Sequence, residues 1–215
     1  MGKVIVKNIR GMGWGAKACL IAMFTMLATV LLLQMKQARD AQAAVAVQTQ
    51  WAILGTGTTS TFGTMSLAKG AGSNRLLVVK VVADYSTAIT TFTPTVTYGG
   101  QTLTKIVATD TTSRQKVWFG YLKETGIVAA TGTTPTISVT WNSTPQTGCG
   151  VSAAFYSNVD QTTPITGSRA VASDTSATTP TSGTINVTNG GWAIYGSNVN
   201  TAITSTPATG YTEHF

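Results

Sequence analysis

The sequence predicts an all-β protein: an antiparallel β-sandwich, Ig-like or jelly-roll-like, preceded by one N-terminal hydrophobic helix. Three observations predict it. From residue 47 onward, short apolar or alternating runs recur between turn signals, as in sandwich strands. Threonine makes up roughly a fifth of the 215 residues, and its β-branched side chain suits a pleated, half-exposed surface. The one long uncharged apolar run lies near the N-terminus, from Cys19 to Leu33.

That run comes first in order. Lys3, Lys7, Arg10 and Lys17 precede it, and Lys36 and Arg39 follow it. A basic region followed by an apolar stretch of this length is the signature of a secretory signal. With Ala18 and Gln34–Met35 the stretch reaches about 18 residues, near the lower limit for a membrane-spanning helix. Cleaved signal and retained anchor are therefore both open. In either case the basic flank stays cytoplasmic and the body is exported. Membrane contact through residues 16–35 is expected, at least transiently. Two small-x-small cleavage sequences follow, Ala41-Gln42-Ala43 and Ala44-Val45-Ala46. A retained helix would continue on its Ala and Gln residues to about residue 46. The domain division expected is thus 1–46 for the leader and 47–215 for the β domain.

In the body, Trp51–Leu54 reads as a first short strand and Thr64–Ala68 as an alternating one. Leu76–Val82 is apolar except for Lys80 and reads as a central strand. Thr95–Tyr98 and Gln101–Val107 flank Gly99-Gly100, a two-residue hairpin signal. Val117–Leu122 is aromatic-rich. Thr136–Trp141 and Val151–Tyr156 alternate. Ile185–Val187 and Trp192–Tyr195 flank Asn189-Gly190-Gly191, a further hairpin. No helical period is expected after residue 47. Trp118, Trp141 and Trp192 read as core or sheet-face aromatics, and the Thr/Ser/Pro-rich residues 172–183 as an extended loop.

Charge bears on location and partners. Only 10% of the residues are charged, against roughly 25% in ordinary soluble proteins. Of the fourteen basic residues, six lie within residues 1–39, which hold no acid. That leaves eight basic residues against all seven acids. The net charge of +7 therefore belongs to the leader, and the body offers no basic face for nucleic acid.

Chemistry-bearing residues are sparse. The chain has one histidine, His214, and no G-x-S-x-G sequence, so neither a histidine zinc cluster nor a nucleophile elbow is expected. The body's acids, Asp84, Asp110, Glu124, Asp160, Asp174 and Glu213, show no spacing that pairs two of them across a cleft. A non-enzymatic protein without cofactor or metal is expected. Asp84 and Asp160 are the acids best placed for a specific role. Asp160 reads either as a calcium or carbohydrate ligand or as the acceptor of an Asx turn. Asn142 and Asn186 begin N-x-[ST] sequences and are candidate glycosylation sites. Cys19 and Cys149 are not expected to pair.

The body resembles a β-sandwich module that recurs in secreted and surface proteins of bacteria. The resemblance runs through Gly72-Ser-Asn-Arg-Leu-Leu-Val-Val79, Val96-Thr-Tyr-Gly-Gly-Gln-Thr-Leu-Thr104, Val117-Trp-Phe-Gly-Tyr-Leu122, Thr136-Ile-Ser-Val-Thr-Trp141 and Ala154-Phe-Tyr-Ser-Asn-Val-Asp-Gln-Thr-Thr-Pro164. It implies fold and export, and it transfers no catalytic residue. Such modules continue past a segment like Gly210–Phe215 for another pair of strands. Either the sequence is a fragment, or the sandwich is short of a strand and leaves a groove that a neighbour's strand could fill. The outline of an apolar helix carrying one β domain is also similar to pilin-like filament subunits. The prepilin mark is missing, since Gly11, Gly13 and Gly15 are followed by no Glu before Glu124. Together these features predict an extracellular structural protein: a surface-displayed or filament subunit that self-associates. The alternative is a secreted carbohydrate-binding or adhesin module.

Overall fold

The computed structural model describes residues 13–40, 44–57, 65–109, 111–168, 187, 190–196 and 198. The chain divides into two units, Met1–Ala43 and Ala44–Phe215.

In the first unit, helix α1 spans Trp14–Asp40, 27 residues. Its middle is built of good helix formers, Leu, Met and Ala, with no Gly or Pro to break it. The second unit is built of antiparallel strands: β1 Ala46–Gly57, β2 Met65–Ser66, β3 Leu76–Ile89, β4 Thr95–Tyr98, β5 Gln101–Thr102, β6 Thr104–Ala108, β7 Ser113–Lys123, β8 Thr136–Thr140 and β9 Gly148–Ser157. They form a five-stranded sheet in the order β1-β9-β3-β7-β6 and a four-stranded sheet in the order β2-β8-β4-β5.

One core is shared by residues of both sheets. Leu77, Val79 and Val81 of β3, Trp118 and Leu122 of β7, and Phe155 of β9 meet Val96 and Tyr98 of β4 and Ile137 of β8. The rings of Tyr98 and Phe155 pack edge to face at 6.0 Å between centroids. A second apolar cluster lies on the opposite face of the five-stranded sheet, around Leu76, Val78, Phe119, Ala154 and Tyr156. β3 is buried on both faces over its apolar run, as a continuous run suggests, and β9, where alternation was expected, is buried on both faces as well.

Several expectations are corrected. A short helix, α2, Glu124–Ala129, follows β7. Lys69 Nζ donates to the carbonyls of Val128 (3.2 Å) and Ala130 (2.7 Å), which satisfies its C-terminal end. The expected strand Gln101–Val107 is two strands in two sheets, and the chain crosses at Leu103, which is buried. The leader helix does not reach residue 46. Ala44 and Val45 are not helical, and Ala46 opens β1, paired with Ser157. Val45 and Val47 pack on the outer apolar cluster, and that burial overrides the helix propensity of alanine. Residues 191–196 form no strand. Residues 110, 172–183, 185 and 210–215 lie outside the described residues.

Candidate functional site

Two of the sequence segments that carry the resemblance, 72–79 and 154–164, meet where β3 begins and β9 ends. Arg75, at the entry to β3, faces Glu124, the first residue of α2. Arg75 Nε and Nη2 donate to the carboxylate at 2.9 and 2.5 Å, and the Arg75 N–H donates to Glu124 Oε2 at 2.7 Å. Arg75 Nη1 donates to the Gly70 carbonyl. Gln161 closes the arrangement. Its Oε1 accepts from the Glu124 N–H at 2.9 Å, and its Nε2 donates to the carbonyls of Val159 and Arg75. Asn74 and Asn158 hold the two loops in left-handed conformation, φ +52° and +59°, which Asn tolerates best after Gly. The Val159 N–H then donates to the Asn74 carbonyl at 3.0 Å. Hydrogen bonding from Arg75 holds the Glu124 carboxyl below its usual range and raises the Arg75 guanidinium. A forked, charge-assisted pair of this kind fixes geometry. Its donors and acceptors are turned on one another, so this cluster locks loops.

Asp160 lies in the same loop. Its Oδ1 accepts from the Thr162 N–H at 2.8 Å, and its Oδ2 accepts from Thr163 Oγ1 at 3.0 Å. These bonds close an Asx turn and lower the carboxyl, with the Thr162 backbone bond as the largest cause. Asn142 follows β8. Its Oδ1 accepts from the Thr93 N–H at 2.9 Å, and its Nδ2 donates to the Thr91 carbonyl at 3.2 Å. The residue is exposed, and its amide pins the loop before β4. Asn186 lies outside the described residues. Asp84 stands on β3, away from Asp160. Burial raises its carboxyl, and Asn198 Nδ2 donates to its Oδ1 at 2.8 Å.

Reasoning from sequence missed two polar residues. Lys116 is fully buried, and its Nζ donates to the carbonyls of Thr111 (2.6 Å) and Thr109 (3.3 Å). A period of two from Trp118 and Leu122 places Lys116 on the inward face, so the signal was present. Asn198, whose Nδ2 also donates to the Ala83 carbonyl at 3.1 Å, had no local signal. Among the described residues no group of three or more His, Cys, Asp or Glu is placed to hold a metal ion. Cys19 lies in α1 and is exposed; Cys149 is buried on β9, and burial pushes its thiol up.

Two apolar features remain. The first is α1, where every residue from Ile21 to Leu32 is exposed. Its two threonines turn their hydroxyls onto the helix. Thr25 Oγ1 donates to the Ala22 carbonyl at 2.8 Å, and Thr29 Oγ1 to the Thr25 carbonyl at 2.7 Å. Among the described residues no helix is long and apolar enough to cross a membrane.

The second is a strap, residues 190–196, running over the outer cluster. Trp192 Nε1 donates to the Val45 carbonyl at 2.9 Å, and its ring meets Tyr156 edge-on at 6.1 Å. Ile194 packs on the cluster. Gly196 passes so close that a Cβ there would lie 2.5 Å from Phe119 Cζ and 2.7 Å from Lys80 Cδ. The strap binds through side chains where a strand was expected. Trp192 and Tyr195 keep 46% and 68% of their surface exposed, so Trp192 meets the sheet-face side of the expectation and not the core one. Trp118 is buried in the core, and Trp141 stacks on Phe92 at its margin.

No protein-family model, curated protein or solved structure matches the chain.

Proposed function

We propose that the chain is an exported, non-enzymatic structural protein of the bacterial cell surface, a filament or pilus-like subunit whose body is a β-sandwich of the module it resembles. The observation that carries the reading is α1. The apolar, exposed run Ile21–Leu32 suits a lipid or protein surrounding, and the internal bonds of Thr25 and Thr29 satisfy both hydroxyl donors within the helix. The basic residues ahead of it and the uncharged run suit an export signal that enters the membrane at least transiently. The charge-poor, threonine-rich body suits the outside of a cell, with Asn142 and Asn186 as glycan positions.

Self-association is the property to test. Full-length protein released from cells is expected to sediment as a polymer and to show filaments by electron microscopy. A monomer at all concentrations overturns the filament reading. A second reading, a carbohydrate-binding adhesin, is favoured by one observation: Trp192 and Tyr195 both expose aromatic surface on the strap. It requires retention on polysaccharide that Tyr195→Ala abolishes.

A further inference from the structure

Two polar groups without partners stand at neighbouring positions on the outer face of the five-stranded sheet. The first is Lys80. Among the described residues of the β unit, the other buried or half-buried cations each have an acceptor. Lys69 donates to the Ala130 carbonyl, Arg75 to Glu124, Lys116 to the Thr111 carbonyl and Lys123 to the Gln161 carbonyl. Lys80 is half-buried too, yet among the described residues its Nζ has no acceptor within hydrogen-bond distance. Burial alone lowers its ammonium from the ordinary value. Asp84 lies four residues further along β3, about 13 Å away at the rise of a strand, and already accepts from Asn198.

The second group is Ser152 of β9. It pairs with Lys80 in register, so the two side chains rise from the same face as direct neighbours. Among the described residues its Oγ is buried with no hydrogen-bond partner. A buried hydroxyl and a half-buried ammonium both give up water here and regain nothing. One acceptor group between them would satisfy both. A single positive charge beside a neutral hydroxyl suits a monoanion with two oxygens, which is a carboxylate.

The strap supplies an aromatic surface beside this pair. Gly196 lies on the Lys80 stem, where a Cβ would come 2.7 Å from Cδ. Its neighbour Tyr195 keeps 68% of its surface exposed, a platform on which a sugar ring can lie. We propose that Lys80 and Ser152 seat the carboxylate of an acidic saccharide, a uronic acid whose ring lies on Tyr195. Ser152 Oγ is closed to solvent, so seating requires the flexible Lys80 stem or the strap to shift. The seat rests on the carbohydrate-binding reading of the strap and goes beyond it in naming an acidic ligand.

Binding of trigalacturonic acid to the full-length chain is measured by titration calorimetry, with its methyl ester and acetate as comparisons. The acid is expected to bind at least about tenfold more tightly than either, the scale of a charge-assisted hydrogen bond. Lys80→Met should lose at least about tenfold for the acid and Ser152→Ala about threefold, with the ester unaffected in both. Ser152→Ala removes a hydroxyl that has no partner, so it should melt no lower than the wild type and keeps the test readable if Lys80→Met fails to fold. Equal binding of acid and ester, or acid binding unchanged in either variant, overturns the seat while the carbohydrate-binding reading stands. Acetate bound as tightly as the acid overturns the saccharide as its ligand. No binding of acid or ester overturns the seat and that reading together.

Discussion

At the scale of single residues, the Arg75–Glu124 pair governs how the fold meets acid. The Glu124 carboxyl is held below its usual range because Arg75 donates to it. A carboxyl with a lowered folded value contributes stability above its unfolded value of about 4.3, and that contribution is lost as pH falls through the folded value. Glu124→Gln should therefore unfold more easily than the wild type at pH 7, with the two melting temperatures converging below about pH 4. A gap that stays constant from pH 7 to pH 3 would show that the carboxylate charge is immaterial. The sequence held Arg75 and Gln161 in segments that stood out by resemblance. It gave no sign of Glu124 as their partner, because 49 residues separate the ion pair and local pattern carries no pairing information over that distance. Asp160 was different. Its bonds reach only two and three residues ahead, so the Asx-turn alternative was readable beforehand.

At the scale of elements, legibility followed whether the element is built from its own residues. The Gly99-Gly100 hairpin was readable because both residues must take positive φ, here +54° and +83°. The runs at Leu76, Val117 and Val151 became β3, β7 and β9, each longer than its apolar stretch, since polar residues at strand ends pair as well as apolar ones. The sheet change at Leu103 was not readable, because nothing local tells a strand which sheet it joins. The strap failed for the same reason. Trp192–Tyr195 has strand-like residues, and its conformation is set by the sheet beneath. Gly196 is its closest approach, so Gly196→Val should lift it from Phe119. Exchange of the Trp192 indole proton should then quicken at least tenfold, with the body still folded by circular dichroism. Unchanged exchange would mean that Phe119 and Lys80 yield instead, and that Trp192 is held without Gly196.

At the scale of the whole molecule, tyrosine hydroxyls tie strands of both sheets to neighbouring segments, and alkali should loosen the fold. Tyr98 of the small sheet donates to the Leu67 carbonyl at 2.8 Å, and Tyr85 of the large sheet to the Ser143 carbonyl at 2.8 Å. Tyr156 accepts from Trp51 on the outer face. Burial pushes each phenol up to about 12. The unfolded chain releases these protons near pH 10, while the folded chain keeps them. A group raised on folding contributes its full stability below the unfolded value and loses it as pH rises through the folded one. Between pH 10 and pH 12 each tyrosine should thus remove on the order of 1–2 kcal/mol, once solvent near the hydroxyl is discounted. Denaturant midpoints measured across that range should fall steeply. In Tyr98→Phe the midpoint should start lower at pH 7, since the Leu67 carbonyl loses its donor, and then decline less steeply above pH 10. Equal slopes in both proteins would mean that the Tyr98 hydroxyl already reaches water in the folded protein.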